Sequence, residues 1–287
     1  MNSIPVRSIQ RPASPHDFSE GFRIRRIADL LNGRDMIQDL HRHDFFFLLV
    51  LKKARGIHEI DFIPYKVANC SVFLMRPGQV HRLTLKAGSE GFLVELKNGF
   101  FHSGERASVQ LLRSAASRNF CQLTPRIFRK LDDHLTYIFQ EYGDRQDRFQ
   151  EVIKANLSIF FIELVRHRNS KENLSAGTNP YSHDRLEEFF EILESNVRSE
   201  KLVSYYADAL NLSQFQLNSI TRNLLGKSAA SLIDDYIVLE SKRHLLATSS
   251  QVSQIAYHLG YEDVSYFIRF FRKRTGYTPE AFRKNFS

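Results

Sequence analysis

Two groups of residues in this chain have types and spacings that could do chemistry. One is basic and lies near the C-terminus: Ser265, Arg269, Arg272 and Lys273, with Tyr266 beside them, in the run VSYFIRFFRKRT. The other is a set of imidazoles near the N-terminus: His41 and His43 in HRHD, and His81 in RPGQVHRL. The first group suits recognition of a polyanion. Arginine can bond a guanine edge with two N–H groups, and neighbouring cations can meet phosphates. The second suits metal ligation or the polar lining of a pocket. Alternate residues of a strand point the same way, so His41 and His43 can converge with His81.

The basic group needs a helix anchored by its opposite face, and the sequence supplies one. Phe267, Phe270 and Phe271 fall at i, i+3 and i+4. Just before them, Val252, Ile255, Ala256 and Leu259 form the apolar stripe of a core-facing helix. Gly260 stands where the chain must turn, and Asp263 can cap the next helix through its carboxylate. Thr278-Pro279 is an N-cap followed by proline at the first helical position. Gln251 to Arg283 thus reads as helix, turn, second helix and capped third helix. A helix of this kind is what a major groove admits.

Fifty residues earlier the pattern recurs. Leu202, Ala207 and Leu210 match Val252, Ala256 and Leu259 loosely, and Asn211 to Ser213 stands where GYE stands. Leu217, Ile220, Arg222, Gly226 and Ser228 match Phe267, Phe270, Arg272, Gly276 and Thr278 at one offset. Such internal repetition means one supersecondary unit used twice. Ser213 and Gln216 form a capping box at the start of the first reading helix. Its polar face carries Gln214, Asn218 and Arg222, with Phe215 alongside, while Leu217, Ile220 and Leu224 face the core.

From Ile255 to Arg283 the chain reads I-A-x-x-L-G-Y-x-x-x-S-Y-F-x-R-x-F-R-K-x-x-G-x-T-P-x-x-F-R. This region resembles the DNA-binding domain of the AraC/XylS family of bacterial transcription regulators, over about a hundred residues. The resemblance implies two helix-turn-helix units joined by a long helix and reading adjacent major grooves of double-stranded DNA. The joining helix would be 229–247, on the order of 27 Å long at 1.5 Å per residue. Departures sit in the first unit: Thr221 where phenylalanine is usual, Asn211 where glycine is usual, and Val238 where the linking helix carries arginine.

The net charge of +8 does not itself argue for DNA. Residues 1–182 hold 27 Lys+Arg against 19 Asp+Glu, whereas 183–287 hold 13 of each. The local cluster Arg269, Arg272, Lys273, Arg274, Arg283 and Lys284 carries the argument. No apolar run is long enough to span a membrane, and the N-terminus lacks the apolar core of a signal peptide. Cys70 and Cys121 show no metal or redox spacing and read as reduced thiols. The expected location is the cytoplasm, on the bacterial nucleoid.

Ahead of this, from Phe22 to about Glu95, short β-branched and aromatic runs alternate with Gly, Pro and Asn, the pattern of a small antiparallel barrel or sandwich. It resembles the cupin-like sensor domain that many members of that family carry. Helical periods follow from Thr124, first to about Tyr142 and then from about Asp147 to Arg168. The second of these is unusually apolar, which fits either packing on the barrel or, as the family resemblance implies and as is favoured here, a role in a homodimer. The expected organisation is an arm at 1–22, a cupin-like sensor and dimerisation domain at 23–168 with helices from about 125, a linker at 169–183, and a double helix-turn-helix domain at 184–287. The fold class is α+β: an antiparallel β-barrel with flanking helices, then an all-α domain.

Cupin enzymes place a carboxylate a few residues after the second histidine; here those positions are Phe46, Phe47 and Leu48. No metal and no cofactor are therefore expected. His41, His43, Phe47, Arg76 and His81 are instead candidates to line a pocket for a small-molecule effector. The function implied is a DNA-binding transcription regulator, an activator working with RNA polymerase and controlled by that effector. The alternative is a metal-dependent cupin dioxygenase or isomerase with an appended helical domain. The expected DNA contacts are Gln214, Phe215, Asn218, Arg222, Ser265, Arg269, Arg272 and Lys273.

Overall fold

The computed structural model describes residues 6–8, 21–101, 106–172 and 180–286. The chain divides into two units: the first holds everything described up to Glu172, the second everything from Pro180.

Among the described residues, the first unit is built on ten strands. They are β1 (Val6–Arg7), β2 (Phe22–Arg26), β3 (Met36–His43), β4 (Phe46–Lys53), β5 (Gly56–Ile60), β6 (Ile63–Val67), β7 (Ser71–Met75), β8 (Val80–Leu85), β9 (Glu90–Leu96) and β10 (Phe120–Gln122). They form two five-stranded sheets, in the orders β1-β3-β8-β5-β6 and β10-β7-β4-β9-β2. All pairings are antiparallel except β1 with β3. Five helices accompany them: α1 (Ile27–Leu31), α2 (Asn98–Phe101), α3 (Arg106–Ala115), α4 (Pro125–Asp144) and α5 (Phe149–Glu172).

The continuous apolar text of β4 follows from burial on both faces. Phe47, Leu49 and Leu51 point into a core shared with Ile60, Leu83 and Leu85 of the other sheet. Phe46, Leu48 and Val50 point the opposite way, toward Leu131 and Leu135 of α4 and Leu157, Phe160 and Phe161 of α5. That covering role explains the apolar composition of α5. After it is met, Ile159 and Ile162 remain exposed.

Several boundaries differ from the sequence reading. The first helices come well before residue 125: α1 follows β2 directly, burying Ile27 and Leu31 one turn apart, and α2 and α3 fill part of the stretch before β10. Within the expected arm, Val6–Arg7 forms β1, and residues 1–5 and 9–20 lie outside those described. Helix α5 runs four residues into the expected linker and the next helix starts at Pro180; residues 173–179 between them lie outside the described residues.

The second unit is wholly helical: α6 (Pro180–Asn196), α7 (Val203–Ala209), α8 (Gln214–Leu225), α9 (Ala229–Ala247), α10 (Val252–His258), α11 (Val264–Thr275) and α12 (Pro279–Phe286). One core joins them, with Phe189 of α6, Tyr206 of α7, Leu217 of α8, Ile233 and Ile237 of α9, Ile255 of α10, Phe267 and Phe271 of α11 and Phe282 of α12. The expected stripe Val252, Ile255, Ala256 and Leu259 is buried throughout.

The two turns are equivalent in their hydrogen bonds. Leu212 N–H donates to Ala207 O at 2.9 Å, and Tyr261 N–H donates to Ala256 O at 2.9 Å. Each turn has one left-handed residue, Asn211 with φ 54° and Gly260 with φ 74°. Their surroundings differ. A Cβ on Gly260 would lie 1.7 Å from Arg198 O, so the turn is pressed against backbone and only glycine fits. Asn211 is exposed. Gly260→Ala is expected to cost at least about 1–2 kcal/mol from the left-handed backbone alone, with the Arg198 contact adding to it. Asn211→Gly is expected to change stability by less than about 1 kcal/mol. Urea unfolding of the full chain followed by circular dichroism checks both; equal losses at the two turns would contradict the asymmetry.

Candidate nucleic-acid interface and a buried histidine cluster

Helices α8 and α11 hold the expected contact residues. The α8 N-terminus is closed by the capping box: Gln216 N–H donates to Ser213 Oγ at 3.2 Å, and Ser213 N–H donates to Gln216 Oε1 at 2.8 Å. The α11 N-terminus is capped by Asp263, whose Oδ1 accepts from Ser265 N–H at 2.7 Å. Both helices end on a left-handed glycine, Gly226 and Gly276. These closures fix where each helix begins, and so which residues reach outward.

On α11, Phe267 and Phe271 are fully buried, while Ser265, Tyr266, Arg269, Arg272 and Lys273 are exposed. The sequence reading of two opposed faces holds. Arg269 stands 3.8 Å from Asp263 Oδ2 with 69% of its side chain exposed, a loose pairing that leaves the guanidinium in water. On α8, Gln214, Phe215 and Arg222 are exposed. Phe215, 82% exposed, is an apolar ring with no core to enter. It occupies the position that Ser265 has in α11.

Three basic or polar residues are committed elsewhere. Asn218 is half-buried: its Nδ2 donates to Gln214 O at 2.9 Å and its Oδ1 accepts from Ala229 N–H at 3.0 Å. It closes the corner between α8 and α9. Arg274 pairs with Asp234 of α9. Arg283 donates from Nε to Leu245 O at 3.0 Å and from Nη2 to Ser250 O at 2.5 Å, capping the end of α9. Arg274 and Arg283 therefore belong to the scaffold more than to the basic surface. The surface cations left on the two reading helices are Arg269, Arg272 and Lys273 on α11 and Arg222 on α8. Of these two helices, α11 carries most of the exposed positive charge.

In the first unit, the structure brings His41, His43 and His81 together and adds a fourth imidazole, His58. All four are at most 5% exposed. His43 Nε2 lies 2.8 Å from His81 Nε2, His41 Nε2 lies 3.1 Å from the same atom, and His58 Nε2 lies 2.9 Å from His81 Nδ1. His41 and His81 face each other across β3 and β8, beside a register shift in β3 between Gln38 and His41. Phe47, from the other sheet, stacks on His43 at 5.2 Å between centroids. Burial, reinforced by neighbouring imidazoles, pushes His43 and His58 down to about 3 and holds His81 well below its usual value. Burial also lowers His41. All four are neutral at pH 7. Arg76 points elsewhere, donating from Nε to Ala116 O at 3.1 Å. His58 was missed in sequence because it lies in an ordinary strand, GIHEI, with no second histidine at ligand spacing.

Residues 206–285 match a family model described as a helix-turn-helix domain. Over 263 residues, 85% of this chain and 87% of the relative, the chain is 19% identical to the HTH-type transcriptional activator RhaS of Salmonella schwarzengrund. Among solved structures it is similar to a point variant of apo ToxT from Vibrio cholerae, with a TM-score of 0.40, 15% identity, and coverage of 93% of this chain and 98% of that one. It is also similar to an AraC-type transcriptional regulator from Chromobacterium violaceum, with a TM-score of 0.34, 21% identity, and coverage of 37% and 96%. Among the described residues no helix is long and apolar enough to cross a membrane. The matched segment contains both capped helices, α8 and α11, and the helix between them, and over these residues the chain is similar to helix-turn-helix domains.

Proposed function

We propose that this protein is a DNA-binding transcription regulator of the AraC type, a cytoplasmic activator that reads two successive major grooves with α8 and α11 and answers to a small molecule in its first unit. The observation that carries the groove reading is the exposed face of α11, where Arg269 stands clear of a helix whose other side is anchored by Phe267 and Phe271. Arg269 reads a base edge with Ser265 beside it. Arg272 and Lys273 meet phosphates, as does Arg222 on α8. Gln214 reads polar base edges, and Phe215 packs on thymine methyl groups, the apolar feature of the major groove. Helix α9, 19 residues long, spans roughly 27 Å, comparable to the ~34 Å between successive major grooves on one face of DNA.

The activator role, with RNA polymerase as partner, is supported by the description of RhaS as an activator. A homodimer is supported by Ile159 and Ile162, which α5 leaves exposed after covering the sheet. Control by an effector is supported by a separate unit with its own buried polar cluster. Such an effector acts only through different affinities for two arrangements of the protein.

Purified protein incubated with fragmented DNA from its own organism, at fixed physiological salt, is expected to retain a few sites bearing two half-motifs about one helical turn apart. Uniform retention would remove the sequence-specific reading. Arg269→Ala is expected to cost about 1–3 kcal/mol of binding and to relax preference at one base position, whereas Arg272→Ala weakens all sequences alike and lowers the salt slope by about 1. An equal loss on all sequences for Arg269→Ala would reassign it to phosphate. Asn218→Ala is expected to lower stability by about 1 kcal/mol and leave base preference unchanged, because its amide is spent on the α8–α9 corner. A changed preference in a binding-site selection would return Asn218 to the interface.

A further inference from the structure

The histidine cluster presents a proton-counting problem. The Asp39 carbonyl lies 2.6 Å from His41 Nδ1 and can only accept, so that nitrogen carries the hydrogen and His41 Nε2 carries a bare lone pair. His81 Nε2 faces both His41 Nε2 and His43 Nε2. Between these three nitrogens only one hydrogen can sit without a clash, so at least one lone pair faces another nitrogen with nothing between them. On the far side of the cluster, His58 Nδ1 is buried without a hydrogen-bond partner. A buried network this poorly satisfied is costly unless something else occupies its centre.

We propose that His41, His43 and His81 bind one divalent first-row transition metal ion through their Nε2 atoms. The three residues lie with ligand atoms within 4.8 Å of one another, all buried. Metal–nitrogen bonds of about 2.0–2.1 Å place neighbouring ligand nitrogens roughly 3.0–3.4 Å apart, close to the separations of 2.8 and 3.1 Å found here. An ion uses all three lone pairs and settles the outer hydrogens: His41 Nδ1 donates to Asp39 O, and His81 Nδ1 donates to His58 Nε2. Metal-bound histidines are held by such partners. His58 serves as a positioning residue behind His81.

The donor set is all nitrogen, which suits zinc, cobalt, nickel or iron over magnesium or calcium. No carboxylate joins the cluster among the described residues. Phe45 and Phe47 pack on His43, and Phe73 packs on His58. The ion keeps its charge and an open coordination position, which takes water or an anionic small molecule. Arg7, paired with His43 through β1, adds a cation nearby. It opposes the bare ion and favours an anionic ligand on it. This deepens the regulator reading only in making the ion, or the molecule it holds, the effector; the site itself does not depend on DNA binding.

The test uses the full chain without an affinity tag, stripped with a chelator and titrated with cobalt(II) and zinc(II). About one equivalent per chain is expected, with visible d–d absorption for cobalt. His43→Gln and His81→Gln are expected to abolish the absorption and weaken uptake more than about 10-fold. His58→Gln, which touches the site only through His81, is expected to weaken uptake about 10–100-fold and leave the ligand count unchanged. Circular dichroism checks that each variant is folded. Should His81→Gln unfold, His41→Gln at the edge of the cluster replaces it, with the same expected loss. Wild-type uptake below about a tenth of an equivalent, or equal uptake by folded variants, overturns the site. DNA retention is measured on the same samples: selective retention without metal uptake removes only the metal site, and uptake without selective retention removes only the regulator reading.

Discussion

The second unit depends on one constraint: both ends of α9 are closed by side chains from the helices it carries. At its start, Ser228 caps Ser231 N–H, and the Asn218 amide of α8 takes Ala229 N–H. At its end, Arg283 of α12 takes the Leu245 carbonyl. Helix termini leave backbone groups unsatisfied, and each closure here also fixes a neighbouring helix in place. Along its length, adjacent aspartates pair with cations from both repeats, Asp235 with Lys227 just past the end of α8 and Asp234 with Arg274 in the last turn of α11. The two reading helices are thereby referred to one rod. Their separation is then a property of α9 and not of loops.

Within that frame the two helix-turn-helix units, the first around α8 and the second around α11, are not equal. Phe271 lies at the centre of the second unit, with Phe267 at 6.1 Å and Phe282 at 5.5 Å between ring centroids. Its counterpart Thr221 is equally buried but small, and its hydroxyl is turned back to Asn218 O at 3.2 Å. A threonine there gives less apolar burial and bonds its own helix backbone. Offsets tell the same story: the first turn is one residue shorter, so the repeat runs at 49 before the turn and 50 after it. With Arg269 matched by half-buried Ser219, the second unit has both the larger aromatic anchor and the denser surface charge.

The first unit solves a different problem. Its second sheet is covered on both faces, by the first sheet on one side and by α4 and α5 on the other. That permits a polar cluster to sit in the inter-sheet layer, where His41, His43, His58 and His81 meet phenylalanines from across the gap. In so dry a layer the imidazoles stay neutral and their lone pairs stay directed at one another.

Local periodicity determined much of this by itself. The caps at Ser213, Asp263 and Thr278, the turn at Gly260, the apolar stripes and the bounds of α9 were legible because each rests on residues within a few positions of one another. The division into a strand-rich half and a helical half was legible for the same reason. What the tertiary structure decided involves partners far apart in sequence. It spends Asn218, Arg274 and Arg283 on α9, explains the apolar face of α5 by a sheet a hundred residues earlier, and adds His58 to three histidines already noticed. A cation looks the same in a sequence whether it faces DNA or a carbonyl. Only the fold shows which acceptor lies within reach.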